Sequence, residues 1–463
     1  MLKIHNSLTK QKETFKPIDP NNIRIYVCGM TVYDFCHIGH ARVLLVFDIV
    51  YRLLQSVYGK DKVTYIRNIT DIDDKIIKRA NENHENYSAL TERFISEMNK
   101  DAASLGILKP NEEPKATAHM TQIIQMVETL ISKEFAYPAD NGDVYYRVAK
   151  FDGYGKLSGR NLADERTGAR VEIDEAKEDP MDFVLWKSAK ANEPYWDSPW
   201  GRGRPGWHIE CSAMSTHCLG NHFDIHGGGM DLKFPHHENE IAQSEAATGE
   251  KFSNIWMHNG HIMIDEEKMS KSLDNFFTVR EVLKIYQPEV IRYFILSSHY
   301  RSPLNYSQEN LENAKSALER LYTTLRGLQL IDVEISDYSE RFHQSMCDDF
   351  NTVEALSVLF ELSREANKQR QQNNLETTQK LASALKKLAS VLGLLQADPE
   401  QFLKGGLASD NALSDEKIDA LITARLAARE NKNWAEGDRI RDVLKANGII
   451  LEDAANTTRW RRE

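Results

Sequence analysis

The 463-residue chain predicts an α/β fold built on a parallel sheet, followed by a helical bundle and a small C-terminal module. Three observations carry that prediction. Short β-branched runs alternate with apolar segments at helical spacing, the runs end in glycine or acidic turns that open the next helix, and nearly everything from residue 308 onward keeps helical spacing. In a parallel sheet, ligands gather at the C-terminal strand ends, so the residues just after each run are the first candidates for a site.

The run IRIYVCG, beginning at Ile23, is β-branched and closes on glycine, and residues 41–58 follow with helical apolar spacing. The next run, 63–69, ends at the acidic turn Thr70-Asp71-Ile72-Asp73-Asp74, where Asp71 is placed to cap a helix through Ile76 and Ile77. Between about 111 and 205 the pattern loosens. A helix near 117–133 gives way to the strand-like GDVYYRV and then to charged, Gly/Pro-rich loops, which together read as an insertion. Strand and helix signals resume at 207–218, 223–225, 236–247 and 255–264, and 279–297 looks helical. Residues 308–395 fit amphipathic helices with polar breaks, most simply a bundle. Residues 396–414, with Pro399, Gly405 and Gly406, read as a linker. The segment 415–463 then holds ten Lys/Arg and ten Asp/Glu, a neutral tail on an acidic chain.

Composition narrows the classes. An apolar content of 41% over this length supports a buried core and about three domains. A formal charge of -11 argues against a general nucleic-acid clamp but leaves room for a local RNA-binding face. Five cysteines at irregular spacing read as reduced thiols, not as a disulfide framework. No apolar run reaches membrane length, and MLKIHNSLTKQKETF resembles neither a signal nor a transit peptide, so the expectation is a cytoplasmic protein with no membrane partner.

The stretch KFPHHENEIA crowds His236, His237, Glu238 and Glu240 into five positions. On a helix, residues four apart share a face, which pairs His236 with Glu240 and turns His237 and Glu238 away. H-E-x-x-H is absent, because Ile241 stands where its second histidine would be, so a metalloprotease reading loses its support. Among the thiols, no C-x-x-C spacing occurs. Cys211 and Cys218 would lie two helical turns apart, roughly 10 Å, so at most one can reach a shared ion. Cys28, at the end of the first predicted strand, is better placed than Cys36. Each of these residues alone is more often an ordinary surface pair or a small core side chain.

Two further motifs suit nucleotide chemistry. CHIGHAR sets His37, Gly39 and His40 at the start of a helix, where glycine lets a flat ligand approach and imidazoles can bond a displaced phosphate. KMSKS, residues 268–272, offers Lys268 and Lys271 as point charges for a pyrophosphate leaving group.

With YVCGMTVYDFCHIGHAR, RNITDIDDKI, GWHIECSAM, DIHGGGMDLKFPHHENEIAQSE and EEKMSKS, the sequence resembles class I aminoacyl-tRNA synthetases, and within them the cysteinyl-tRNA synthetase family, over essentially its whole length. The resemblance implies a Rossmann-like catalytic domain in 1–110 and 206–265, a connective insertion in 111–205, a KMSKS and stem-contact region in 266–307, a helical bundle in 308–396, a linker in 397–414 and an anticodon-recognition module in 415–463. It implies one Zn2+ held by Cys28, Cys211, His236 and Glu240, with the thiol of L-cysteine as a further ligand. Thr70, Trp207 and His226 are implied beside Gly29 in the amino-acid pocket. Gly39, His40 and Lys271 are implied on ATP with Mg2+, and Arg429, Trp434, Asp438 and Asp453 on the anticodon of tRNA(Cys). Monomer is the family expectation.

Physical chemistry supplies a reason for such a metal. An apolar pocket separates near-isosteres by only roughly a hundredfold, whereas zinc prefers sulfur and deprotonates a bound thiol. The insertion is too short and too poor in hydrolytic residues for editing. Two rival readings make different demands on the chain. A cysteine ligase acting on an amino-sugar acceptor predicts no anticodon tail, and a non-catalytic zinc-dependent RNA-binding paralogue predicts decay of HIGH or KMSKS; the tail is present and both motifs are intact.

Overall fold

The computed structural model describes residues 1–160, 176–264, 267–268, 277–333, 337–405, 413–453 and 458–462. It opens with a hairpin, β1 (Lys3–Asn6) and β2 (Gln11–Thr14), whose polar sequences KIHN and QKET gave no strand signal. The apolar runs then alternate with helices: β3 (Ile23–Val27), α1 (Ile38–Tyr58), β4 (Val63–Arg67), α2 (Asp74–Glu82) and α3 (Tyr87–Ser104). After the insertion come α5 (Trp207–Leu219), β9 (Phe223–Gly229), α6 (Glu238–Thr248) and β10 (Ser253–Asn259). The central sheet has the order β10-β9-β3-β4 and is parallel throughout, with Ile25 between Tyr65 and Ile225. Its residues are almost all buried, as expected where both faces of a parallel sheet are covered.

The cap of α2 differs from expectation. Asp73 accepts from the Lys75 amide (2.8 Å), while Asp71 turns to the amide and hydroxyl of Thr117 (2.9 and 2.5 Å) and ties β4 to the start of the insertion. The insertion contains α4 (Met120–Ser132) and an antiparallel sheet of β5 (Ala136–Pro138), β6 (Val144–Tyr146), β7 (Phe183–Ser188) and β8 (Gly203–Pro205). It does not enclose a core of its own. Ile123, Val144 and Trp186 share one apolar cluster with Ile209 and Met214 of α5 and Ala242 of α6, and the Tyr146 hydroxyl donates to the Ala242 carbonyl (2.9 Å).

Past β10, a small sheet joins β11 (Ile262–Ile264) to β12 (Glu267–Lys268) and β13 (Leu304–Asn305). The single helix expected at 279–297 is two, α7 (Val279–Leu283) and α8 (Pro288–Leu296). The residue before a proline avoids helical φ/ψ, so Gln287 is extended and Pro288 starts a new helix.

Helices α9 (Gln308–Leu325), α10 (Asp337–Cys347), α11 (Thr352–Gln371) and α12 (Leu375–Val391) follow. The stretch expected as a linker contains α13 (Pro399–Lys404), capped by Asp398 and anchored by Phe402, which stacks on Tyr322 (3.9 Å). The tail comprises α14 (Asp415–Glu430), α15 (Trp434–Ala446) and the hairpin of β14 (Ile449–Asp453) and β15 (Thr458–Arg462) around Ile418, Ile440, Leu444 and Trp460.

Two compact units result, and they divide the chain differently from the sequence expectation. One comprises Met1–Val279, Ser298–Tyr306 and His343–Val353; the other comprises Arg280–Ser297, Ser307–Phe342 and Glu354–Glu463. Residues 343–353 stay with the first because Asp349 accepts from the His5 amide, the Tyr300 hydroxyl and Arg301 Nε, each at 2.8 Å. No helix among the described residues is long and apolar enough to cross a membrane.

Candidate active site and metal centre

The parallel strands all deliver their C-terminal ends to one side of the sheet, where Cys28 follows β3 and Gly29 donates its amide to Asn68 Oδ1 beyond β4 (2.8 Å). Gly29 is required by proximity, since a Cβ there would lie 1.7 Å from the Asn68 carbonyl oxygen. Cys211 comes from the first turns of α5, and Glu240 from the first turn of α6. His236 lies in the kinked segment Lys233–His237 that leads into α6.

These four residues converge. One ligand atom from each of Cys28, Cys211, His236 and Glu240 lies within 4.8 Å of the others, and all four residues are buried. Glu240 Oε1 is 3.0 Å from His236 Nε2 and accepts from Cys28 Sγ at 3.2 Å. Two sulfurs, an imidazole nitrogen and a carboxylate oxygen are donor types that a metal ion such as zinc accepts. The surrounding bonds orient the donors: His208 and His236 join through their Nδ1 atoms at 2.8 Å, which turns His236 Nε2 inward, and His226 Nε2 meets Glu240 Oε2 at 2.8 Å.

Electrostatics follow the same contacts. Burial pushes Glu240 upward, but His226 and His236 outweigh it and hold the carboxyl well below the usual range. Burial pulls His236 down, yet Glu240 and Cys211 reverse this and push it up to about 10. Burial and the neighbouring Cys211 raise the Cys28 thiol, while Cys211 is lowered against its own burial by Cys28 and His236.

His226 and His237 depart from expectation. His226 does not line the cavity beside the cluster. It stands behind Glu240, stacked on Trp256 (4.3 Å), and with Cys28, His237 and Glu240 forms an overlapping donor set. His237 is not turned away: it stands three residues before Glu240, a spacing that also shares a helix face, and its Nε2 lies 3.9 Å from Glu240 Oε1. Glu238 does point elsewhere, accepting from the amides of Leu157 (3.3 Å) and Ser158 (2.7 Å).

A cavity of about 530 Å³ opens directly on Cys28 and Gly29 and is lined further by His37, Gly39, His40, Trp207 and Asp231. Trp207 is exposed and stacks on His236 at 4.2 Å. Thr70, expected in the pocket, is buried and is not among the cavity's lining residues; its hydroxyl accepts from Asn68 Nδ2 (3.5 Å). His37 caps α1, and each of the His37 and His40 rings accepts the other's amide through Nδ1 (3.3 Å), with the rings stacked at 3.6 Å. That pattern leaves the proton of each neutral imidazole on Nε2. Lys268 lies in β12; Lys271 lies outside the described residues.

In the tail, Trp434 opens α15 and is 60% exposed. Arg429 pairs with Asp453 (3.2 Å), which Arg425 also holds through two bonds (2.7 and 2.8 Å), and Asp438 pairs with Arg441 (3.0 Å). The sequence reading passed over Arg425 and His208. Arg425 gave no signal, and only adjacency to Trp207 marked His208.

Residues 14–316 match the family model described as tRNA synthetases class I (C) catalytic domain, 341–396 the DALR domain, and 412–461 the cysteinyl-tRNA ligase anticodon binding domain. A methionyl-tRNA synthetase from Mycobacterium tuberculosis, solved with methionyl-adenylate, shares the fold at 13% identity and a TM-score of 0.55 over 83% of this chain and 91% of its own. Catalytic-domain match, parallel sheet and helical C-terminal part together define a class I aminoacyl-tRNA synthetase. Similar proteins narrow the class: the cysteine–tRNA ligases of Thioalkalivibrio sulfidiphilus and Methylococcus capsulatus are each 62% identical over the full length of both chains. The chain belongs to the cysteine–tRNA ligase family.

Proposed function

We propose that the protein joins L-cysteine to tRNA(Cys) at the expense of ATP, through cysteinyl-adenylate, as a cytoplasmic monomer. The observation that carries the reading is the meeting of the Cys28, Cys211, His236 and Glu240 donor atoms next to a cavity that Cys28 lines together with His37 and His40. The cysteine carboxylate attacks the α-phosphate of ATP and pyrophosphate leaves; a ribose hydroxyl of the tRNA terminus then takes the acyl group and AMP is released. His37 and His40 donate from Nε2 to phosphate oxygens, beside the positive end of α1, while Lys268 and Lys271 meet the departing pyrophosphate and Mg2+ accompanies ATP. Zn2+ held by the four donors would supply a Lewis-acid seat that favours a thiolate over serine's hydroxyl, giving selectivity without editing. Trp207, stacked on His236, shields that seat from water. Thr70 and His226 act through neighbours, on Asn68 and Glu240 respectively. Arg429, Trp434, Asp438 and Asp453 belong to the anticodon face.

An amino-sugar acceptor is disfavoured by the segment matching the anticodon-binding model. The test is cysteine-dependent pyrophosphate exchange followed by charging of purified tRNA. Alanine at His40 is expected to slow exchange by about 100-fold or more; a rate within a few-fold of the parent, or charging of an amino sugar in place of tRNA, sinks the reading.

A further inference from the structure

Arg42 lies in the second turn of α1, five residues after His37, and is 1% exposed. Its Nη1 donates to the His261 carbonyl (2.6 Å), and its Nη2 to the carbonyls of Ser302, Tyr300 (3.3 Å) and His299 (3.4 Å). No ion pair to Arg42 occurs among the described residues, so carbonyl dipoles alone compensate a buried guanidinium. Burying a charge without a counter-ion is expensive, and a core position has no need of one.

The two ends of this clamp are two walls of the cavity. Gly39, His40 and Val43 of α1 line one side, and Asn259, Gly260 and His261, between β10 and β11, line another. The second wall is drawn tight against the turn 299–302. A Cβ on Gly260 would lie 2.4 Å from the Ser302 oxygen, the Gly260 amide donates to Tyr300 (2.8 Å), and the Leu304 amide shares the His261 carbonyl with Arg42 (3.0 Å). From the other side Asp349 fixes the same turn through Tyr300 and Arg301, with its own backbone held in the left-handed region (φ 63°). Such conformations persist where surrounding contacts over-determine them.

We propose that Arg42 is a positioning residue for the nucleotide step: it ties the helix that carries His37 and His40 to the β10–β11 segment lining the same cavity, and so fixes the shape of the cavity that takes ATP. The inference rests on the reading of that cavity as the ATP site. Arg42 does not itself line the cavity, which separates its role from that of the two histidines.

The experiment compares the full-length, zinc-loaded parent with Arg42→Lys and Arg42→Met in cysteine-dependent pyrophosphate exchange, with bound zinc and melting temperature measured on the same samples. A misplaced wall is expected to lower kcat/KM for ATP by about 10- to 100-fold, while KM for cysteine and zinc content stay at the parent's level. Lysine, which keeps the charge but reaches fewer carbonyls, falls between parent and methionine. Parent-like kcat/KM for ATP in both variants overturns the proposal. So does a joint fall in ATP, cysteine and zinc parameters, the mark of a merely structural residue. If Arg42→Met does not fold, Arg42→Lys decides by the same split. A parent with no cysteine-dependent exchange defeats the ATP-site reading, whereas a competent parent with indifferent variants defeats only this inference.

Discussion

Glu238 and Glu240 are two residues apart, both buried, and do different work. Glu240 divides its oxygens between the Cys28/His236 side and His226, whereas Glu238 accepts from the amides of Leu157 and Ser158 within the insertion. Helical spacing in the sequence pairs Glu240, and not Glu238, with His236. It could not show that Glu238 is a fastener, because its partners lie about eighty positions away and offer only backbone. Glu240→Gln is expected to lose bound zinc, since the amide keeps the shape but not the charge that compensates a dication. Glu238→Gln is expected to keep zinc and lose about 1–3 kcal/mol of stability. Elemental analysis of zinc together with chemical denaturation checks both; zinc retained in the first, or absent from the second, contradicts the assignment.

At the scale of elements, period and β-branching made β3, β4, β9 and β10 legible, because strands buried on both faces must be almost continuously apolar. The β1–β2 hairpin was not legible: its residues are polar and its pairing depends on contacts such as Asn6 with Trp256. The four-residue spacing found the His236–Glu240 contact but misplaced His237, which the three-residue spacing also brings onto the face of Glu240. That misplaced ring belongs to a buried chain running through β10, with His237 bonded to His258 Nε2 and His258 Nδ1 to the Ser7 hydroxyl, each at 2.8 Å. Burial, then nearby Lys233, pulls His258 down to about 3 from an ordinary 6.5. Between those values the unfolded chain binds a proton that the folded chain refuses, so stability is full above about pH 6.5 and falls as pH drops toward 3. His258→Asn, which cannot titrate, is expected to show a shallower loss of stability between pH 7 and 5 than the parent, measured by urea denaturation at each pH. Parallel slopes would show that His258 does not contribute.

For the whole molecule, the grouping of segments was not legible, because residues 343–353 join the first unit through Asp348 and Asp349, which look like any acidic loop residues in the sequence. Under the proposed function the two units carry different tasks. The metal donors, His37 and His40 lie in one unit, and the tail with Trp434 in the other. Adenylate formation needs no tRNA, so a change confined to the tail should leave it untouched. Trp434 is the side chain on which this can be read, since an exposed indole at a helix start has no core to fill, whereas Asp453 is held by Arg425, Arg429 and Thr458 and would report on folding as well. An unpaired base stacked on an aromatic ring is worth about 1–3 kcal/mol by alanine substitution, or about 5- to 150-fold. Trp434→Ala is therefore expected to lower kcat/KM for tRNA(Cys) by a factor in that range while cysteine-dependent pyrophosphate exchange holds at the parent's rate. If charging is unchanged, Trp434 does not touch RNA; if both reactions fall together, the two tasks are not divided between the units.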